Sequence, residues 1–250
     1  MILKIQNLTG GYTLGHDILQ GVDLEVKKGD SVGIIGLNGS GKSTFAKAIM
    51  NCLPYRQGSI FFNGTDITQK STQELSRLGI ALFLQGGRIF EELSVYENLL
   101  FAAKKKQKID TIKKSFISLQ RDTINLRRMR ADKLSGGLRH QLALAMAVLK
   151  EPVLLILDEP SAGLSPLAVN EMYQTLHLLR HNNNLTTILI EQNVSRAVDF
   201  CSHVNLLRNG KIAYTSPSSL SPSPEERDAM HLSESKSLKL KEIEKIMFNS

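Results

Sequence analysis

The stretch Gly36-Leu37-Asn38-Gly39-Ser40-Gly41-Lys42-Ser43 decides the fold, because it matches the pattern G-x-x-x-x-G-K-[ST] between an apolar run and a helical pattern. Its glycines let the loop turn so tightly that successive backbone N–H groups point inward, where the positive end of the following helix reinforces them. Fixed dipoles of this kind hold a triphosphate. Lys42 is expected to reach the β- and γ-phosphates, and the Ser43 hydroxyl is expected to bind Mg²⁺. The other predicted nucleotide contacts are Gly36, Asn38, Gly39, Ser40, Gly41 and Thr44.

Outward from this loop, short apolar runs alternate with helical patterns. Runs that are almost continuously apolar, as in strands buried on both faces of a parallel sheet, lie at residues 31–36, 80–84, 153–157 and 187–191. Other strand-like runs lie at residues 2–8, 22–26, 59–62, 204–207 and 211–214. Helical patterns lie at residues 42–50, 94–106, 109–119, 138–149, 167–179 and 194–200. This alternation predicts an α/β fold whose parallel sheet is covered by helices.

Two segments depart from the alternation. Strand patterns are missing from about residue 91 to residue 150, which predicts a helical subdomain inserted into the sheet. From residue 216 the chain is rich in serine and proline, like a linker, and then becomes charged, with Leu240, Ile243 and Met247 spaced for one helix face. We therefore expect one domain over residues 1–215 and a linker with a charged tail over residues 216–250. The tail helix is expected to pack on its own domain or to fray.

Length and composition exclude other classes of protein. With 250 residues and 42% hydrophobic content, the chain can bury a sizeable core, so disorder does not describe the whole of it. No apolar run approaches the ~18 residues of a membrane-spanning helix, and the start lacks the apolar stretch of a secretory signal, which predicts a cytoplasmic protein. Cys52 and Cys201 lie far apart, so neither a disulfide framework nor a zinc site is expected.

The net charge of +7 is concentrated in one segment. Residues 104–133 carry eleven Lys or Arg and three Asp, a local excess of +8, so the rest of the chain sums to −1. A local basic segment fits a docking surface or an anionic membrane face, and a solvated helix is the simpler interpretation. Aromatic residues are few near this segment, so stacking on nucleic-acid bases is not expected.

Polar residues also follow the apolar run at residues 153–157. Asp158 and Glu159 come directly after it, at the carboxyl edge of the predicted sheet, where α/β sheets bind ligands. Beside a nucleotide, Asp158 would orient Mg²⁺ through water and Glu159 would polarise the attacking water. Leu134-Ser135-Gly136-Gly137 precedes a helical pattern. Ser135 is therefore either a helix cap or, with the glycine N–H groups, part of a second anion site.

The order of a phosphate loop, L-S-G-G and an apolar strand ending in Asp-Glu resembles that of the ATP-binding-cassette ATPases over roughly residues 1–216. The resemblance implies a P-loop NTPase fold with a mostly parallel, helix-covered sheet, an N-terminal antiparallel β part and an inserted helical subdomain. It also implies ATP hydrolysis by a head-to-tail pair of cassettes. In such a pair, Ser135 of one chain, with Gly136 and Gly137, contacts the γ-phosphate held by Lys42 of the other.

Three more residues acquire roles through this resemblance. Tyr12 matches the aromatic residue that stacks on adenine. Gln85 matches the glutamine that joins the sheet to the helical subdomain and senses Mg²⁺ and the attacking water. Gln192 stands where most cassettes have the histidine that contacts the γ-phosphate. The expected catalytic residues are then Glu159, Gln85 and Gln192, and the expected metal-binding residues are Ser43, Gln85 and Asp158.

Within the family, residues 86–100, 158–166 and 190–193 are most similar to one ATPase subunit of the branched-chain amino-acid importers. The departures are Leu138 in place of a glutamine, Ser165 in place of an aspartate and Gln192 in place of the histidine. Because glutamine offers the γ-phosphate only a neutral donor, we expect a heterodimer with a second, histidine-bearing ATPase subunit, and a homodimer is the alternative. The resemblance also implies transmembrane permease subunits as partners and a position on the inner face of the cell membrane.

The expected function is that of an ATP-hydrolysing motor subunit for import of a small polar solute, with branched-chain amino acids as the first candidate. Two alternatives are open at this point. Cassettes that act on nucleic acid carry a long coiled coil before L-S-G-G or two cassettes in one chain, whereas 93 residues separate Lys42 from Ser135 here. A nucleotide-binding regulatory subunit with weak catalysis is compatible with Gln192, although Glu159 argues against it.

Overall fold

The computed structural model describes residues 1–103, 128–183, 185–216, 240–241 and 243–247. The strands in these ranges are β1 (Leu3–Gly11), β2 (Leu19–Val26), β3 (Ser31–Ile35), β4 (Tyr55–Phe62), β5 (Thr65–Asp66), β6 (Ile80–Phe83), β7 (Leu154–Asp158), β8 (Thr186–Glu191), β9 (His203–Arg208) and β10 (Lys211–Thr215). The α-helices are α1 (Lys42–Ile49), α2 (Thr72–Arg77), α3 (Val95–Ala102), α4 (Gly136–Leu149), α5 (Pro166–Asn183) and α6 (Val194–Phe200).

The chain divides into two compact units, the first formed by Met1–Leu75 and Thr187–Ser250 and the second by Ser76–Thr186. In the first unit, β2, β1, β4 and β5 form an antiparallel sheet in that order. The same unit holds β10, β9, β3 and β8 in that order, with β3 parallel to both of its neighbours. In the second unit, β6 pairs in parallel with β7. The predicted fold class, with its parallel strands and N-terminal antiparallel part, is confirmed.

The central strand β3 is buried along its whole length, as its continuously apolar sequence predicts. Its one polar side chain, that of Ser31, accepts a hydrogen bond from the Thr187 hydroxyl at 2.8 Å, so burial leaves it satisfied. The parallel register sets Ile35 of β3 opposite Glu191 of β8. The residues that follow the two strands, Gly36 and Gln192, therefore leave the sheet at the same edge.

Strands β2 and β4 begin earlier than the hydrophobic pattern indicates. We expected β4 over residues 59–62, but it starts at Tyr55 and continues through Gly58. Gly58 has a φ of 92°, and a Cβ there would lie 2.4 Å from the carbonyl oxygen of Asn7. The pairing of β1 with β4 shifts register between Gln6 and Thr9, opposite this glycine. A β-bulge thus carries the strand through a residue that otherwise indicates a turn.

The helix predicted at residues 94–106 begins as expected and ends early. Ser94 forms a capping box with Glu97, whose side chain accepts hydrogen bonds from the Ser94 hydroxyl at 2.6 Å and the Ser94 N–H at 2.8 Å. These hydrogen bonds hold the pKa of Glu97 below its ordinary value. The helix ends at Ala102, and Ala103 is already extended, with φ −75° and ψ 129°. The helix predicted at residues 109–119 lies outside the described residues.

The tail differs in part from the expected linker. Ser216 is buried, and its hydroxyl accepts a hydrogen bond from the Val204 N–H at 2.9 Å, so this residue still belongs to the edge of the sheet. Farther on, residues 240–241 and 243–247 are helical, with Ile243 and Met247 buried, which confirms a tail helix packed on its own unit. Among the described residues, every helix is too short or too polar to cross a membrane.

Candidate functional site

The phosphate loop connects β3 to α1 through glycines that other residues could not replace without strain. A Cβ at Gly36 would lie 2.4 Å from the Leu207 carbonyl oxygen, because the loop starts against β9. Gly39 and Gly41 have φ values of 80° and 104°, and Gly41 is the N-cap of α1. The first turn of α1 contains no acidic residue, so nothing in that turn neutralises the positive end of the helix dipole. The geometry of this loop and of the start of α1 is suited to binding an anion.

Lys42 points its ammonium group back into the loop. Its Nζ donates to the carbonyl oxygens of Gly36, at 2.9 Å, and Leu37, at 3.0 Å. Only 4% of this residue is exposed, so the cation is fixed by these oxygens at the place where the loop turns. Ser43 is half-buried and Thr44 is buried, both in the first turn of α1. The residues predicted to bind a triphosphate thus lie together in one loop and one helical turn.

Gln192 lies beside the start of the phosphate loop, at the carboxyl end of β8. Its side chain is exposed, while its backbone N–H donates to Glu191 Oε2 at 3.2 Å. The N–H of Asn193 donates to the same oxygen at 3.4 Å, and Asn193 caps α6. Glu191, which sequence reasoning missed, is thereby the residue that fixes the backbone at Gln192. Its position at the end of a buried strand was the available signal.

Tyr12 follows β1 and is 46% exposed. Its hydroxyl accepts a hydrogen bond from Lys47 Nζ at 3.0 Å, which ties the ring to α1, the helix that follows the phosphate loop. A half-exposed aromatic ring held by a polar tip can present a face to a ligand. Lys47 was not predicted as a site residue, because this contact joins positions that are 35 residues apart in the chain.

In the second unit, the acids at the end of β7 meet the glutamine at the end of β6. Asp158 is 2% exposed, and Glu159 is half-buried. Gln85 Nε2 donates to Glu159 Oε2 at 3.2 Å, so the two residues that were predicted separately form one hydrogen-bonded pair. Glu159 has a φ of 44°, a left-handed conformation that costs a residue with a side chain about 1–2 kcal/mol. Strain of this kind is typical of functional positions.

Ser135 is the N-cap of α4, as one of the two interpretations proposed. Its hydroxyl accepts a hydrogen bond from the Leu138 N–H at 3.4 Å. Gly136 and Gly137 form the first turn of the helix and not a separate loop, so α4 starts two residues earlier than predicted. Ser135 through Leu138 line a cavity of about 380 Å³ with residues 163–165 and the start of α5. The exposed Ser135 and Gly136 leave room for a ligand or a second chain.

Comparison with known proteins shows which family the chain resembles. Residues 19–162 match the family model described as ABC transporter. A protein of Archaeoglobus fulgidus named as the probable branched-chain amino acid transport ATP-binding protein LivF is 36% identical over 219 residues, which cover 85% of this chain and 91% of that protein. From the same archaeon, the probable branched-chain amino acid transport ATP-binding protein LivG is 31% identical and covers 84% of this chain and 87% of its own length.

Relatives named for other solutes match at similar identity. The phosphonates import ATP-binding protein PhnC 2 of a Synechococcus species is 34% identical, over 86% of this chain and 85% of that protein. Among solved structures, a nucleotide-free ATP-binding cassette from an ABC transporter gives a TM-score of 0.76 at 27% identity and covers 87% of this chain and 92% of that one. By fold, motif order and extent of the match, this chain belongs to the ABC transporter family and is one of its ATP-hydrolysing subunits.

Proposed function

We propose that this chain is the motor subunit of an importer for branched-chain amino acids. The observation that carries the choice of solute is the match to LivF, at 36% identity over 91% of that protein. The phosphonate relative matches at 34% identity, so the test of the proposal compares uptake of the two classes of solute. The import role is proposed because these relatives are named as transport or import ATP-binding proteins.

ATP is proposed to bind with its triphosphate on the phosphate loop and its adenine on Tyr12. The loop offers backbone N–H groups, the Lys42 ammonium and the unopposed positive end of α1, all of which favour a multiply charged anion. Tyr12 is exposed enough to stack on a base while Lys47 holds its hydroxyl. Ser135, Gly136 and Gly137 would contact the γ-phosphate bound to a second cassette.

Hydrolysis is proposed to depend on the pair formed by Gln85 and Glu159. The carboxylate of Glu159 accepts a proton or a hydrogen bond from water and can therefore orient a water molecule for attack on the γ-phosphate. The amide of Gln85 donates a hydrogen bond to Oε2 of that carboxylate at 3.2 Å and so holds its orientation. Gln192 would supply a neutral donor to the γ-phosphate. Transfer of the phosphoryl group to water needs no covalent intermediate on the protein.

Mg²⁺ is the metal that the residues fit. The candidate ligands, the Ser43 hydroxyl, the Asp158 carboxylate and the Gln85 amide, are hard oxygen donors of the kind that Mg²⁺ prefers over nitrogen or sulfur. Asp158 is 2% exposed at the end of a buried strand, at the sheet edge where α/β proteins bind ligands. When bound with the nucleotide, Mg²⁺ neutralises charge on the phosphate oxygens.

The proposed assembly contains transmembrane permease subunits and two ATPase subunits, on the inner face of the cell membrane and without nucleic acid. Two observations favour a heterodimer: Gln192 replaces the usual histidine, and Archaeoglobus fulgidus has two differently named relatives, LivF and LivG. The ATPase domain is proposed to span residues 1–215, with the helical subdomain at about 91–150 and the tail at 216–250. The basic segment of residues 104–133 lies mostly outside the described residues.

The test is transport by the whole assembly. The tagged chain is purified from membranes of its own organism with its attached subunits, which are identified, and the complex is reconstituted into liposomes. ATP-dependent uptake of labelled leucine that disappears in the Glu159→Gln assembly supports the proposal. Uptake of a phosphonate without leucine would assign another solute. Leucine uptake without measurable ATP turnover at this chain's site would favour the regulatory alternative.

Membrane position has its own test. Gln substitution of Arg127, Arg128 and Arg130 should weaken attachment of the chain to anionic vesicles at low salt, and the difference from the wild type should shrink as salt rises, because salt screens the contribution of each cation, which is about 1 kcal/mol at most. ATP binding should not change. Attachment that survives at every salt concentration would identify this segment as a solvated face.

A further inference from the structure

The turn between β9 and β10 contacts the phosphate loop. The N–H of Gly210, in that turn, donates to the Ser40 carbonyl oxygen at 3.1 Å. At the other end of the loop, Gly36 is in such close contact with β9 that a Cβ would lie 2.4 Å from the Leu207 carbonyl oxygen. Residues 37–39, between these two points, are exposed. The loop is thus fixed at both ends. The conformation of its tip, residues 37–39, depends on the groups that lie beside it.

A cavity of about 290 Å³ lies beside this tip. Its lining comes from loop residues 37–40, from residues 206–209 and from Met247, near the end of the chain. Ser40 is 8% exposed, and its hydroxyl has no hydrogen-bond partner among the described residues. Unfilled space leaves the atoms around it without contacts on one side, so the loop is less strongly held there than in a close-packed interior.

Met247 belongs to the C-terminal helical segment, which consists of residues 240, 241 and 243–247. Ile243 and Met247 lie four residues apart, on one face of the helix, and are 0% and 4% exposed. Lys241 and Lys245 are exposed. The segment is therefore docked on the first unit by its apolar face, and the flexible thioether of Met247 reaches the wall of the cavity beside the loop.

We infer that Met247 is a positioning residue for the phosphate loop, so that docking of the C-terminal helical segment and binding of ATP favour each other. A polyphosphate needs the backbone N–H groups of the loop in one arrangement. Truncation of Met247 would enlarge the cavity beside the loop, so the loop would have more conformations that binding has to restrict. By thermodynamic linkage, bound nucleotide must then stabilise the docked segment by the same factor. The inference rests on the proposed placement of the triphosphate on this loop.

The first test measures ATP affinity of the full-length chain by calorimetry, at a temperature where circular dichroism shows every variant folded. Met247→Ala should weaken ATP binding about three- to tenfold, the cost of ordering one or two more groups on binding. Met247→Leu, which keeps the volume, and Lys245→Ala, on the exposed face, should stay within about twofold of the wild type. Unchanged affinity in a folded Met247→Ala chain would overturn the inference.

The second test uses the wild-type chain and stands even if Met247→Ala does not fold. Amide hydrogen exchange of residues 243–247 is compared with and without Mg-ATP. Slower exchange with nucleotide is expected, and Lys42→Ala should lose both ATP binding and this protection. If ATP protects the phosphate loop but not residues 243–247, the inference fails while the proposed site stands. If Lys42→Ala binds ATP normally, the proposed site itself is wrong.

Discussion

Gly210→Ala is expected to destabilise the fold and to weaken nucleotide binding. Gly210 has a φ of 74°, and an added Cβ would lie 1.9 Å from the Ile18 carbonyl oxygen, a backbone atom that has little freedom to move. The left-handed conformation of an alanine costs about 1–2 kcal/mol, and forcing the neighbouring backbone apart costs about 1–3 kcal/mol more. The free energy of unfolding should therefore fall by about 2–5 kcal/mol. The shift should also disturb the hydrogen bond from Gly210 to Ser40.

The chain offers a matched control at Gly64. The turns Asn63-Gly64 and Asn209-Gly210 have almost the same φ angles, 49° and 76° in one and 48° and 74° in the other. A Cβ at Gly64, however, would meet no atom within 4 Å. Gly64→Ala should therefore show only the conformational cost of about 1–2 kcal/mol and no effect on nucleotide binding.

Urea unfolding of the wild type and both variants measures the stability difference, and calorimetric titration of the folded proteins measures ATP affinity. Equal losses of stability in the two variants would refute the argument from close approach at Gly210. A folded Gly210→Ala chain with normal ATP affinity would show that the turn does not support the phosphate loop.

Five other substitutions, at four residues, test single contacts. Lys42→Ala should weaken ATP binding by at least about 1.5–3 kcal/mol, the contribution of a charged hydrogen bond, and an unchanged dissociation constant would contradict the assignment of the loop. Glu159→Gln should bind ATP but hydrolyse it slowly and accumulate as an ATP-bound dimer in gel filtration, whereas a normal rate would mean that another group positions the water. In the reconstituted transporter, Gln192→His should raise the ATPase rate or leave it unchanged and Gln192→Ala should lower it modestly; abolished turnover in the alanine variant would refute the asymmetric-site argument. Lys47→Met should weaken binding of ATP a few-fold but not that of tripolyphosphate, since Lys47 acts through Tyr12 and the base; equal losses would place its effect on the loop.

Local patterns were sufficient to predict the elements that carry most of the site. The continuous apolar run of β3, the glycines of the loop and the helical pattern after Lys42 are adjacent in sequence, so each constrains the next. The same holds for β7 with Asp158 and Glu159, and for Ser135 as a cap before α4. Where one segment contains both the secondary-structure signal and the candidate side chains, the element was predicted correctly and the side chains lie at its end as expected; their functional roles stay predictions.

Contacts between distant parts of the chain could not be predicted from local sequence patterns. The hydrogen bond from Gln85 to Glu159 joins residues that are 74 positions apart, and the start of β4 depends on a bulge opposite β1. Helix α3 ends at Ala102, although the sequence up to residue 106 contains no glycine or proline that would have signalled this end. The position of Met247 beside the phosphate loop is another long-range feature that local patterns do not predict.

At Glu159, stability and the proposed catalytic role favour different residues. Asparagine and glycine tolerate a φ of 44° better than glutamate does, so either would relieve the main chain while removing the carboxylate. A search that selects for heat resistance alone would favour such replacements, although they remove the carboxylate proposed to orient the attacking water. Glu159→Asn is therefore expected to be more stable than Glu159→Gln, which retains the unfavourable main-chain geometry, while both lack the carboxylate.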